Sequence, residues 1–275
     1  MLGVLVAAGF IFGMPGRGDG SVKGTSTNEV QAATPKPEVP KKLDFTTMNN
    51  AINSEIQKYP YMDVGIAVID IKTGDSQTYG VQNPFVAAST AKLLTAISYL
   101  HDVEKGSTTL SQQVGSRSAQ DALKALIIDS DNDAWNDFNN GIMSHAELTS
   151  YATSIGLTNY NPDTNTITPG NVAKLLSDLY QHKLINGEHT DLLLSYMAQA
   201  KEVEFITNTI PSNAKLYHKP GYLADRVHDA AIVDDGKRPF VLVIFSKSRS
   251  TGYNMTQGEA LFKNITLATT QTFIK

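Results

Sequence analysis

The sequence predicts an α+β fold: an antiparallel sheet of about five strands, covered by the N- and C-terminal helices, with a helical subdomain beside it. Three observations carry this. A β-branched run closes on turn chemistry near residue 64 (VGIAVIDIKTGDSQTYG), the middle of the chain is almost wholly helical, and strands return between residues 215 and 245 before a last helix. Consecutive strands joined by short turns form antiparallel sheets, so the helical block must pack on a face of that sheet.

The elements follow in order. Residues 2–14 (LGVLVAAGFIFGM) form an uncharged apolar run. It is shorter than the roughly 20 residues of a membrane-spanning helix and reads as the core of a signal peptide or a membrane anchor, assigned to residues 1–14. Residues 15–42 are rich in Gly, Ser, Thr, Asn and Pro and end in TPKPEVPKK. Such a composition buries too little apolar surface to order itself and reads as a disordered linker. Arg17-Gly18-Asp19 within it matches an adhesion tripeptide, as three linker residues readily do by chance. The domain is placed at residues 43–275.

Within it, Met48, Ile52 and Ile56 recur at four-residue spacing, one face of a helix that stops at Pro60. A strand over 64–71 turns through Lys72-Thr73-Gly74-Asp75 and returns over 76–80. Helices are predicted near 90–103, 119–128, 132–139, 146–155, 169–183 and 191–200. Ser144 with Glu147 makes a capping box, and Thr168 before Pro169 pairs an N-cap with a first-turn proline. Strands over 215–222, 227–233 and 240–245 precede a helix from about Thr256. The last of these strands (FVLVIF) lacks alternation and so belongs at the sheet centre, covered on both faces.

Composition narrows the function. The 275 residues carry 23 Lys+Arg against 27 Asp+Glu, a net charge of −4, which implies neither a nucleic-acid footprint nor a polybasic membrane patch. With no cysteine there is no disulfide framework, thiolate metal site or cysteine nucleophile. The histidines lack metal-ligand spacing, and His218 and His228 read as strand residues. No metal and no cofactor are implied.

Chemistry concentrates in three short motifs. Ser89-Thr90-Ala91-Lys92 opens an apolar helix (ASTAKLLTAISYL), where residues three apart share a face, so the Lys92 amine can reach the Ser89 hydroxyl. A serine is a poor nucleophile until its proton is removed, and a lysine shielded from water can remove it. The bland alternative is a capping serine with a solvated lysine, but Leu93, Leu94, Ile97 and Leu100 mark the helix as buried. Ser130-Asp131-Asn132 falls between two helices, where an N-cap is the plain alternative. Lys219-Pro220-Gly221 falls on an edge-type strand, where a turn is. The order and intervals of all three match the signature of class A β-lactamases and penicillin-binding proteins. The chain thereby resembles the class A β-lactamase-like branch of the penicillin-recognising serine enzymes. PFVAASTAK, ITPGNVAKLL, HKPGYLADRVHDAAIV and VLVIFSK carry the likeness further, from Tyr61 to the C-terminus.

The resemblance implies a β-lactamase/transpeptidase-like fold and roles for each residue. Ser89 would be acylated, Lys92 would take its proton, and Ser130 would relay a proton to the leaving nitrogen. Asn132 would bond the substrate side-chain amide, and Lys219 would supply positive potential. The N–H groups of Ser89 and Tyr222 would form the oxyanion hole, with Gly221 leaving room for substrate backbone. The implied partners are β-lactams or the peptidoglycan stem peptide, met by a monomer outside the cytoplasmic membrane.

Three departures qualify this. Pro220 stands where the family has Thr or Ser, removing a hydroxyl and an N–H; Arg226 is the candidate replacement anion partner, with a plain surface arginine as the alternative. Ala91 occupies a position that is often bulkier. Between Gly156 and Pro169 the chain has only LTNYNPDTNTIT, far shorter than the family's omega loop and without its deacylating glutamate; Asp163, the one acid there, reads as a turn residue. Slow deacylation is therefore expected. A D-alanyl-D-alanine peptidase and a catalytically silent wall-binding domain stay open, whereas a Ser-His-Asp esterase is excluded because no Gly-x-Ser-x-Gly elbow occurs.

Overall fold

A computed structural model describes residues 40–201 and 205–274. The apolar run at 1–14 and the linker as far as residue 39 lie outside the described residues. Helix α1 (Thr46–Gln57) leads into the hairpin of β1 (Met62–Asp70) and β2 (Ser76–Gly80). The short strand β3 (Phe85–Val86) then enters a 3₁₀ turn, Ala88–Ala91, and α2 (Lys92–Glu104). A small hairpin, β4 (Gln113–Val114) with β5 (Arg117–Ser118), precedes α3 (Ala119–Ile128), α4 (Asn132–Gly141) and α5 (His145–Ser154). After β6 (Thr166–Ile167) come α6 (Pro169–Tyr180), α7 (Gly187–Met197), β7 (Lys215–Leu223), β8 (Arg226–Asp234), β9 (Phe240–Ser248) and α8 (Met255–Phe273).

The main sheet is antiparallel throughout, in the order β2-β1-β9-β8-β7. β9 is central, as its unbroken apolar run requires, and its side chains divide by parity. Val241, Val243 and Phe245 enter the core shared with the helical subdomain, while Phe240, Leu242 and Ile244 enter the core under α1 and α8. The outer helices therefore cover one face and the helical block the other, with α6 crossing β1, β8 and β9. β7 is left as an edge, and the 3₁₀ turn packs against it.

Local signals explain most boundaries. Both parts of the Ser144–Glu147 capping box are present, and Thr168 Oγ1 accepts from the Asn171 N–H at 3.1 Å. Where the bounds differ from expectation, a cap or a turn decides. α7 begins at Gly187 rather than 191 because Asn186 Oδ1 accepts from the His189 N–H at 3.0 Å. α6 ends at Tyr180 rather than 183, followed by His182 at φ +56°. The pairs β3–β6 and β4–β5 have no sequence signature, two residues being too few to show a period.

Candidate active site

The approach to Ser89 is built from short, unusual backbone. Phe85 pairs with Ile167 and Val86 with Thr166, after which Ala88 turns left-handed at φ +50°. Thr90 closes the turn with its N–H (3.2 Å) and its hydroxyl (2.7 Å), both donating to the Ala87 carbonyl. Ser89 thus sits in a 3₁₀ turn and Lys92 is the first residue of α2, a correction to the single α-helix expected over both. Their proximity survives because residues three apart eclipse in 3₁₀ geometry.

Lys92 is 0% exposed. Its Nζ donates to Ser89 Oγ (3.1 Å), the Ser130 carbonyl (2.5 Å), Ser130 Oγ (3.2 Å) and Asn132 Oδ1 (2.7 Å), and stands 5.3 Å from the centroid of the Trp135 ring. The indole is itself held, Trp135 Nε1 donating to Thr95 Oγ1 at 3.0 Å. Ser130 adopts φ +55° on the loop before α4. Asp131 fixes that loop: its Oδ1 accepts from the N–H groups of Asp133 (2.8 Å) and Ala134 (3.0 Å), and its Oδ2 from Arg117 (2.9 Å). The cap bond from Ala134, aided by Arg117, holds the Asp131 carboxyl below the usual carboxylate range.

β7 supplies the other wall. Lys219 is fully buried, and its Nζ donates to the Pro220 carbonyl at 3.3 Å. Gly221, two residues on and on the same sheet face, lies against the turn that carries Ser89. A Cβ there would stand 3.0 Å from Ser89 N, 3.1 Å from the Ala87 carbonyl oxygen and 3.2 Å from Ala88 Cβ. Tyr222 and Asn132 are exposed at the mouth. Pro220 occupies an edge strand, where the loss of an N–H breaks no ladder bond to a further strand. It pairs with Asp229, whose carboxylate meets His218 Nδ1 at 3.0 Å in a buried contact.

Arg226 shares the sheet face of Lys219 and Gly221, at the turn end of the β7–β8 hairpin, where it pairs with Leu223. Its guanidinium is engaged by Asp225 through Nε (2.7 Å) and a terminal nitrogen (2.8 Å).

Between Gly156 and Pro169 the chain closes on itself. Asn161 and Thr166 exchange two backbone bonds of 2.9 Å, and Asn161 Oδ1 accepts from the N–H groups of Asp163 (2.9 Å) and Thr164 (3.2 Å). The Asp163 side chain is 77% exposed and meets His145 Nδ1 at 2.7 Å. It is a turn residue, as expected.

Sequence reading missed four neighbours. Trp135 and Arg117 lie outside the three motifs, and only the fold brings them to Lys92 and Asp131. Asn165 reaches the Ser89 turn from the short loop, its Nδ2 donating to the Ala88 carbonyl at 3.2 Å. His228 lies under Phe85, with Nε2 3.0 Å from the Val86 carbonyl. Nδ1 lies 2.8 Å from the Val227 carbonyl and 3.2 Å from the Ser246 backbone nitrogen. Complete burial pushes this histidine down to about 4, which keeps it neutral.

Among the described residues no group of three or more His, Asp or Glu side chains could hold a metal ion, and no helix is long and apolar enough to cross a membrane. What the arrangement can do is move protons: one buried amine touches two hydroxyls and a side-chain amide beside an edge strand.

The sequence profile of the beta-lactamase enzyme family matches residues 47–273. The fold is that of a solved structure of PBP-A, with a TM-score of 0.76 at 23% identity over 85% of this chain and 98% of that one. A PBP-A variant solved as an acyl-enzyme complex with penicillin G superposes with a TM-score of 0.74 at 23% identity, covering 82% and 96%. A β-lactamase from Xanthomonas campestris pv. campestris gives 0.75 at 22%, covering 82% and 97%. No curated protein sequence matches the chain.

Proposed function

Because this chain belongs to the beta-lactamase enzyme family, a family of serine hydrolases, we propose that it forms an acyl-enzyme with β-lactams through Ser89 and releases the product slowly. The observation that carries this is the fourfold contact of the buried Lys92 amine with Ser89, Ser130 and Asn132.

The steps follow from those contacts. Lys92 in its neutral form accepts the Ser89 proton as Oγ bonds to the lactam carbonyl carbon. The resulting oxyanion is received by the N–H groups of Ser89 and Tyr222, each such donor being worth about 10² to 10³ in rate. When the C–N bond breaks, Ser130 Oγ protonates the departing nitrogen and recovers a proton from Lys92. Lys219 lowers the energy of negative charge on the substrate carboxylate, and Asn132 at the mouth binds the acyl side-chain amide. Hydrolysis of the ester then needs a base for water. The short loop offers only Asp163, which is turned to solvent and His145, and this supports slow release.

The same observation favours a second reading, a D-alanyl-D-alanine peptidase acting on the wall stem peptide. We further propose that the enzyme works outside the cytoplasmic membrane, on the strength of the apolar run at 2–14 and the Pro-rich stretch after it. Full-length protein confined to the cytosol of the native host would refute that.

Intact-mass spectrometry tests the acylation. Incubation with a penicillin should add one drug mass, and Ser89→Ala should abolish the adduct. Labelling that persists in this variant would sink the assignment.

A further inference from the structure

We infer that Asn165 is a positioning residue for the oxyanion hole, acting through the peptide unit that joins Ala88 to Ser89. This rests on the proposed acylation of Ser89. Asn165 Nδ2 donates to the Ala88 carbonyl at 3.2 Å, and the Asn165 carbonyl accepts from the Ala87 N–H at 2.7 Å. A trans peptide is planar, so the Ala88 carbonyl and the Ser89 N–H are opposite ends of one rigid unit. Holding the carbonyl fixes the direction of the N–H. A hydrogen bond received at the carbonyl also polarises the unit and strengthens the N–H as a donor.

The backbone needs such a hold. Ala88 and Asn165 both lie in the left-handed region, at φ +50° and φ +49°. Alanine has no polar side chain to stabilise that conformation locally, so its neighbours must impose it. Gly221 confines the turn on the other side, where a Cβ would stand 3.0 Å from Ser89 N and 3.1 Å from the Ala87 carbonyl oxygen. Asn165 contributes the hold at a cost. Its Oδ1 is buried with no hydrogen-bond partner among the described residues. Turning the amide over would bring that oxygen against the Ala88 carbonyl, so the orientation that strands Oδ1 is the one that donates to the nucleophile turn. The loop that lacks a deacylating acid thereby keeps a part in acylation.

Two variants test this in the full chain. Asn165→Gly accepts the left-handed backbone and deletes the donor. Asn165→Asp keeps the shape and sets an acceptor against the Ala88 carbonyl. Acylation by a penicillin is timed by intact mass, and the infrared stretch of the acyl-enzyme ester carbonyl is recorded on the folded, acylated protein. Acylation should slow about 10- to 10²-fold, below the 10² to 10³ of an absent donor, and more for Asp than for Gly. The ester carbonyl should move to higher frequency as its hydrogen bonds weaken. A melting scan reports whether each variant folds, and Asn165→Asp serves if Asn165→Gly does not. Parental rate and frequency overturn the inference. A slower rate at unchanged frequency overturns it too, since that is the mark of a merely structural role. Drug uptake that survives Ser89→Ala brings down the reading of Ser89 instead, so the two failures are separable.

Discussion

The amine of Lys92 and the backbone of Ser130 are locked together: Nζ stands 2.5 Å from the Ser130 carbonyl oxygen and 3.2 Å from its hydroxyl. One residue presents both oxygens to one amine because Ser130 is left-handed, at φ +55°. That backbone is held from behind by the Asp131 cap and its Arg117 partner. The contact ties the start of α2 to the loop before α4, and the proposed acylation of Ser89 draws on both.

Replacing Lys92 with Ala should slow acylation by about 10² to 10⁴, the usual worth of a positioned acid or base. Stopped-flow mixing with a chromogenic cephalosporin measures it. An unchanged rate would mean that another group accepts the Ser89 proton.

With the parent enzyme, the same experiment should give a burst near one equivalent and then a slow steady state. A missing general base typically costs about 10² to 10⁴ in deacylation. Rapid linear turnover without a burst would place a base outside the Gly156–Pro169 segment.

Gly221→Ala should leave the fold intact and damage acylation. The new Cβ meets the backbone at Ser89 N and the Ala87 carbonyl at 3.0 and 3.1 Å, so strand and turn must part by a few tenths of an ångström. Misplacement on that scale should slow acylation about 10- to 10²-fold. A parental acylation rate would show that the seam is looser than its contacts suggest.

His228 should make stability depend on pH. Its folded value of about 4 lies below the ordinary 6.5, so the unfolded chain binds the proton first. The stabilisation is complete above about pH 6.5, declines as pH falls from there to about 4, and is lost below. Over that window the loss is on the order of 3 kcal/mol. Urea midpoints of the parent and His228→Gln across pH 4 to 7 check it. The parent's midpoint should fall more steeply on acidification. Parallel profiles would refute the assignment.

Much of this protein is written locally. The apolar spacing of Met48, Ile52 and Ile56, the turn residues after β1, the Ser144 and Thr168 caps and the unbroken run of β9 each specify an element without reference to the rest of the chain. Ser89, Lys92, Ser130 and Asn132 were legible because a short helical repeat and a cap each place a side chain within a few residues. Tertiary structure decided the remainder. Asn165 meets Ala88 across 77 positions, and His228 meets Val86 across 142. Arg226 reads as a candidate anion partner or a plain surface arginine, and in the folded hairpin its guanidinium is engaged by the adjacent Asp225. The left-handed turns at Ala88 and Ser130 are unfavourable in isolation and leave no propensity signal. They exist because packing, caps and cross-chain hydrogen bonds outweigh the local preference. The identity of the candidate reacting groups is therefore a property of the sequence, and the backbone that brings them together is a property of the fold.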